Sequence, residues 1–205
     1  MNLKKIRRLM KKIELFCQIG KANPYRRMQK AMSTNNYHEN ILNRNFYEAK
    51  PGEHLLTDIT YIIYSPDRNK AYLSTIKDAA TREILAYKLS QTLDVEFVLG
   101  TVNQLIQKHS KLVTNNTLIH SDQGCHYTSI AYQQLLKHLE ITKSMLRRGN
   151  CWDNAPQESF FGHMKDELKI KECLSFDELQ IEIDDYMDYY NNYRYQWDLE
   201  KRSPV

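Results

Sequence analysis

The run Leu55–Tyr64 constrains the fold of this chain more than any other stretch. It alternates, is rich in β-branched and aromatic residues, and so predicts a strand with one acid, Asp58, near its middle. Taken alone, such an acid reads as a half-exposed edge residue. The patterns that follow predict its setting. Lys70–Asp78 and Glu83–Ser90 read as two further strands joined by short turns, as an antiparallel meander requires. Leu93–His109 places Val95, Val98, Leu99, Val102, Leu105 and Ile106 at helical spacing. Thr117–His120 is a short strand, Ser129–Leu139 a helix and Ile141–Leu146 a fifth strand. A polar loop over Arg147–Asn154 leads to a helix that carries Pro156 at its start and runs to about Leu168, with Phe160, Phe161, Met164 and Leu168 as its buried stripe. Ser175 caps a last long helix whose Leu179, Ile183, Tyr186, Met187 and Tyr190 face inward. The expected fold class is α/β, a mixed five-stranded sheet flanked by helices.

This layout gives two more acids a meaning. Asp122 in His120-Ser121-Asp122-Gln123-Gly124 follows a candidate central strand, and its glycine permits a tight turn. Glu158 falls in the first turn of the helix after Pro156, where a glutamate commonly completes a cap or complements the helix dipole. Each has an ordinary structural reading when taken singly. Together, a strand acid, a strand-end acid and a helix acid can converge at one sheet edge. Crowded carboxylates raise one another's pKa unless cations neutralise them. Oxygen ligands without Cys or His favour magnesium or manganese over zinc, and two such ions suit phosphoryl transfer. Asp58, Asp122 and Glu158 are therefore the candidate catalytic and metal-binding residues.

The net charge of +4 conceals an asymmetry. The first fifty residues hold Lys4, Lys5, Arg7, Arg8, Lys11, Lys12, Lys21, Arg26, Arg27, Lys30, Arg44 and Lys50 against only Glu14, Glu39 and Glu48, and the remainder is mildly acidic. Residues 3–16 predict a short amphipathic basic helix, and 20–50 read as a linker or loosely ordered arm rich in asparagine. Pro51-Gly52 marks the boundary, giving a basic helical arm and linker over 1–48 and a catalytic core over 49–205. A basic arm on an acidic body suits a polyanionic partner such as DNA, with a solvated helix as the alternative. Arg147, Arg148 and Trp152 combine cations with an aromatic before the last acid, which suits nucleotide stacking; Trp152 packed beneath the loop is the equal reading. Cys17, Cys125, Cys151 and Cys173 are scattered without a C-x-x-C pair, so neither a zinc site nor a disulfide framework is expected. No apolar run approaches the roughly 20 residues that cross a bilayer, and no secretory segment follows the basic start, so a cytosolic protein with no membrane partner is expected.

The motifs Thr57-Asp58-Ile59-Thr60-Tyr61, His120-Ser121-Asp122-Gln123-Gly124 with Tyr127, Arg148-Gly149-Asn150-Cys151-Trp152-Asp153-Asn154, Glu158-Ser159-Phe160-Phe161 with Lys165, Tyr190-Asn191-Asn192-Tyr193-Arg194 and Ser203-Pro204-Val205 span nearly the whole chain. They resemble those of the DDE recombinases with a ribonuclease-H-like core, the group that includes retroviral integrases. In detail they are similar to the second-frame transposases of bacterial insertion sequences of family three. The resemblance implies a ribonuclease-H-like fold, with Asp58, Asp122 and Glu158 binding two magnesium or manganese ions, and hydrolysis at element ends followed by 3′-hydroxyl strand transfer into target DNA. It implies that Lys165, about two helical turns beyond Glu158 on the same face, contacts the DNA end; a solvated helix lysine is the alternative. Terminal repeats and target DNA are the implied partners, with a homo-oligomer assembled on DNA and an upstream-frame helix-turn-helix protein or fusion. A bacterial, nucleoid-associated location follows. Two departures stand out. Leu55 occupies a position that is usually tryptophan, and the chain begins at the basic helix and stops at Val205, so part of the end-recognition apparatus is expected elsewhere. A nuclease without strand transfer, or an inactive DNA-binding remnant, are the alternative readings.

Overall fold

In the computed structural model, residues 2–15, 38–46, 49–146 and 154–205 are described. They belong to two compact units, 1–33 and 34–205. In the first, helix α1 spans Leu3–Lys12, with the Asn2 side chain accepting from the Lys4 N–H at 3.0 Å. It ends earlier than the amphipathic pattern over 3–16 suggests, because Glu14 takes a left-handed φ of 52°.

The second unit is built on strands β1 (His54–Tyr64), β2 (Asn69–Asp78), β3 (Ile84–Ser90), β4 (Leu118–Ser121) and β5 (Thr142–Met145). Their order is β3-β2-β1-β4-β5. The meander β1–β2–β3 is antiparallel, and β4 and β5 run parallel to β1, giving the expected mixed sheet. Helix α2 (Val95–His109) carries the chain from β3 to β4, and α3 (Ile130–His138) from β4 to β5. Asp94 and Ser129 cap them by accepting from the Phe97 and Tyr132 N–H groups, and Asp94 moves the start of α2 two residues past Leu93. Helices α4 (Ala155–Glu167) and α5 (Phe176–Asn192) follow, the latter capped by Ser175 as expected. Pro156 sits in the first turn of α4, one residue inside its start.

Strand alternation distributes the core over both sheet faces. Leu55, Ile76, Leu85 and Ala86 pack with Phe97, Val98, Val102 and Leu105 of α2 and Tyr132 and Leu136 of α3. Ile62, Tyr64, Ala71 and Leu73 pack with Phe160, Phe161 and Met164 of α4 and with Leu179, Ile183, Tyr186, Met187 and Tyr190 of α5. The result is a three-layer α/β/α unit. Part of the stretch read as a loosely ordered arm joins this unit: Leu42 and Phe46 are buried against Leu56, Ala79 and Leu118. Apolar residues there are too sparse to show periodicity, so tertiary packing alone decides their place. Gly52, at φ 84°, closes the turn before β1, where a Cβ would stand 2.4 Å from the Leu112 carbonyl oxygen. Among the described residues no helix is long and apolar enough to cross a membrane.

Candidate active site

Strand register brings the first two acids together. β1 and β4 pair in parallel at His54↔Leu118, Leu55↔Ile119 and Leu56↔His120, and then part. Asp58 and Asp122 each lie two residues past the last of these pairs, and the Asp122 carboxylate bears on Asp58, at the carboxyl end of β4, where parallel strands commonly present ligand sites. β1 is the middle strand of the sheet, which removes the edge-residue reading of Asp58. The Asp58 carboxylate accepts from its own neighbour's N–H, that of Ile59, at 2.8 Å through Oδ1. Its Oδ2 accepts from Asn154 Nδ2 at 3.3 Å. Asp122 Oδ1 accepts from the Gly124 N–H at 2.8 Å. A Cβ on Gly124 would lie only 2.8 Å from that oxygen, so the glycine serves close approach to the carboxylate as well as the turn.

Beneath the pair, Tyr127 is buried, 3.3 Å from Thr57 Oγ1 through its hydroxyl and edge-on to Tyr132 with ring centres 5.3 Å apart. His120 is buried one strand position before Ser121, its Nδ1 2.8 Å from Ser144 Oγ on β5, which locks the β4–β5 pairing behind Asp122.

Among the described residues no lysine or arginine forms an ion pair with Asp58, Asp122 or Glu158. Burial first, then the Asp122 carboxylate, push Asp58 up to about 7; the Ile59 N–H works against this, Glu158 adds to it, and Lys165 lowers it. Asp122 is also raised by burial, against the Gly124 N–H and nearby His126. Two carboxylates that resist ionising side by side form a donor set fit for a hard divalent cation. Glu158 stands apart from them. It is exposed in the first turn of α4, and among the described residues nothing caps or pairs with its carboxylate. Its field reaches Asp58, yet no three His, Cys, Asp or Glu side chains among the described residues lie close enough together to hold a metal ion.

The raised Asp58 pKa has a measurable consequence. The folded protein without metal keeps the Asp58 proton until about pH 7, whereas the ordinary value is 3.8. That contribution to stability is full below the ordinary value and is lost as pH rises through 7. Asp58→Asn is therefore expected to stabilise metal-free protein at pH 8 by about 2–4 kcal/mol, with the difference vanishing towards pH 4. Urea denaturation at the two pH values checks this; an equal effect at both would refute the carboxylate's strain.

Lys165 Nζ donates to Thr60 Oγ1 at 2.6 Å and lies 5.0 Å from the ring centre of exposed Tyr61. Partial burial lowers its pKa, and Asp58 opposes that, which places the lysine within the field of the acid pair. The six basic residues Lys4, Lys5, Arg7, Arg8, Lys11 and Lys12 lie on α1, in the other unit. Arg147, Arg148 and Trp152 lie outside the described residues.

The sequence patterns passed over three residues here. Asn154 and Gln157 are buried at the start of α4; Asn154 reaches Asp58, and Gln157 Nε2 donates to Thr75 Oγ1, the residue paired with Asp58 across β2. Lys77 is buried on the same face of β2 as Thr75 and donates to the Pro156 carbonyl at 3.1 Å. A charge at an inward-facing strand position was the available signal for Lys77.

Comparison with known proteins agrees with this layout. The chain matches the integrase core domain family over residues 48–151, and a second integrase core domain family over 139–204. An uncharacterized transposase-like protein of Haemophilus influenzae is 36% identical over 205 residues, covering 100% of this chain and 91% of that protein. Transposase InsF for insertion sequence IS3A of Escherichia coli is 30% identical over 127 residues, covering 62% of this chain but only 43% of InsF. Among solved structures, the HTLV-2 integrase catalytic core domain in complex with magnesium superposes with a TM-score of 0.59 at 16% identity, covering 76% of this chain and 94% of that one. The sheet order and helices are those of the ribonuclease-H-like retroviral integrase core. The chain belongs to the transposases of insertion-sequence family three that carry an integrase core domain.

Proposed function

We propose that this chain is a metal-dependent DNA transposase that hydrolyses a phosphodiester at an element end and directs the freed 3′-hydroxyl at a target DNA phosphate. The observation that carries this reading is the lateral placement of Asp58 and Asp122 at the end of β4, with no cationic side chain paired to either among the described residues. Magnesium or manganese, two ions in this reading, bound by Asp58, Asp122 and Glu158 would activate the attacking water or 3′-hydroxyl and stabilise the leaving 3′-oxygen. The magnesium-bound HTLV-2 core supports that choice of ion. The protein's own part is positional. Asn154 and the Ile59 N–H orient Asp58, the Gly124 N–H orients Asp122, and exposed Glu158 is free to turn towards them.

Lys165, already within reach of Asp58's field, serves the phosphates of the DNA end. Lys4, Lys5, Arg7, Arg8, Lys11 and Lys12 hold the backbone of DNA, and Arg147, Arg148 and Trp152 grip the strand near the last acid. The division of labour keeps residues 1–48 as the basic arm and 49–205 as the catalytic core, on which Leu42 and Phe46 pack. Joining two ends calls for at least a dimer on DNA, assembled in the bacterial cytoplasm at the nucleoid. An upstream-frame helix-turn-helix protein or fusion recognises the terminal repeats.

A labelled duplex bearing the element's end, offered with Mg²⁺ or Mn²⁺ beside an RNA–DNA hybrid, tests this. Nicking and joining of the DNA end is the expected result. Cleavage of the hybrid without joining would mark a ribonuclease-H-like nuclease, and DNA binding without any reaction a catalytically inactive remnant.

A further inference from the structure

Lys77 is only 4% exposed, on the face of β2 that also carries Ala71, Leu73 and Thr75. No carboxylate among the described residues pairs with it. The charged groups that bear on it are Arg82 and Arg194, both of its own sign and each paired elsewhere, to Asp198 and Glu167. Burial first, then these arginines, push Lys77 down to about 7. What the ammonium does have is the Pro156 carbonyl at 3.1 Å and the rings of Phe160 and Tyr190, with centres 5.6 and 5.7 Å away.

Those partners lie on or against α4. Pro156 and Phe160 bracket Glu158 in sequence, and Tyr190 packs edge-on to Phe160 with ring centres 4.7 Å apart. The adjacent Gln157 binds Thr75, one inward position before Lys77 on β2, and Asn154 binds Asp58 on β1. Three side-chain contacts thus tie the first turn of α4 to the two strands beside the acid pair. A buried ammonium without a counter-ion lowers stability, and an apolar replacement of similar length is commonly neutral or stabilising. Packing therefore gives no reason for a lysine here, whereas its bond to the helix start does.

We propose that Lys77 is a positioning residue: its tether to the Pro156 carbonyl fixes the first turn of α4, and so the reach of Glu158 towards Asp58 and Asp122. This rests on reading the three carboxylates as a metal site.

Lys77→Met in the full chain keeps the stem's packing and removes the tether. Its stability in urea is expected to equal or exceed that of the wild type. Amide hydrogen exchange across 154–161 should quicken about tenfold while other segments stay unchanged. Mn²⁺ affinity, followed by electron paramagnetic resonance, should fall about 10- to 100-fold, the usual effect of losing an outer support of a metal ligand. Lys77→Arg, which retains a donor, should recover part of that affinity. Unchanged exchange at the helix start, or unchanged Mn²⁺ affinity, would overturn the proposal. So would a variant that fails to fold or loses stability throughout, because that marks a structural lysine. A wild type that binds no Mn²⁺ sinks the metal-site reading instead, and the exchange measurement still decides the tether.

Discussion

Replacing Asp58 or Asp122 with Asn, or Glu158 with Gln, is expected to lower metal-dependent nicking and joining on the order of 10³-fold or more, with DNA affinity within a few-fold of wild type. The chemistry needs negative oxygen ligands, and an amide offers a neutral oxygen and a donor in their place. A loss of that size corresponds to about 4 kcal/mol of transition-state stabilisation, within what metal-assisted charge stabilisation supplies. DNA affinity is expected to survive because backbone contacts by lysines and arginines dominate it, and none of the three acids is among these. Asp58 and Asp122 have a structural basis for acting as one unit, since each strand carries its acid two residues past the last β1–β4 pair. Their double variant should then be no worse than either single one. Binding lost together with activity would relocate these residues to DNA recognition, and activity retained in any one variant would remove that residue from the site.

The largest expected effect on stability comes from Phe160→Ala. Phe160 is 1% exposed and lies between the sheet and α5, edge-on to Tyr190 and tilted against Phe161 at 5.5 Å and Tyr186 at 6.4 Å between ring centres. Truncation removes the ring's burial, its aromatic contacts and the face it shows to Lys77, and leaves a cavity between layers. About 3–5 kcal/mol should be lost, which for a chain of this size lowers the thermal midpoint on the order of 10 °C. Phe160→Leu, which refills much of the space, should lose clearly less. Calorimetry of the two variants checks this. A loss below about 1 kcal/mol for the alanine variant would mean that α4 is not seated by this ring.

The strands and helices were legible because each carries its own period: alternation in Leu55–Tyr64, and a helical stripe at Leu179, Ile183, Tyr186, Met187 and Tyr190. Ser175 was legible as a cap because capping is local chemistry. The motifs announced that Asp58 and Asp122 could converge at one sheet edge, but not the strand pairing that brings them there. That pairing follows from the β1–β4 register, which joins residues far apart in sequence and is set by both buried faces at once. Buried Leu42 and Phe46 were hidden for the same reason, as two apolar residues in a polar stretch carry no period. Asn154 reads as a loop residue and Gln157 lies outside the stripe of Phe160, Phe161, Met164 and Leu168, and only the packing of α4 on the sheet turns their amides towards Asp58 and Thr75. The exposure of the Glu158 side chain was equally out of reach, because side-chain direction in a first helical turn is not encoded in spacing.

Anomalous diffraction at the manganese edge, from crystals of the chain grown with Mn²⁺, locates the ion relative to the three acids. Manganese is expected between the Asp58 and Asp122 carboxylates, with the Glu158 side chain turned in to join them. Manganese bound elsewhere, or the two aspartates free of metal at saturating Mn²⁺, would contradict the metal-site reading.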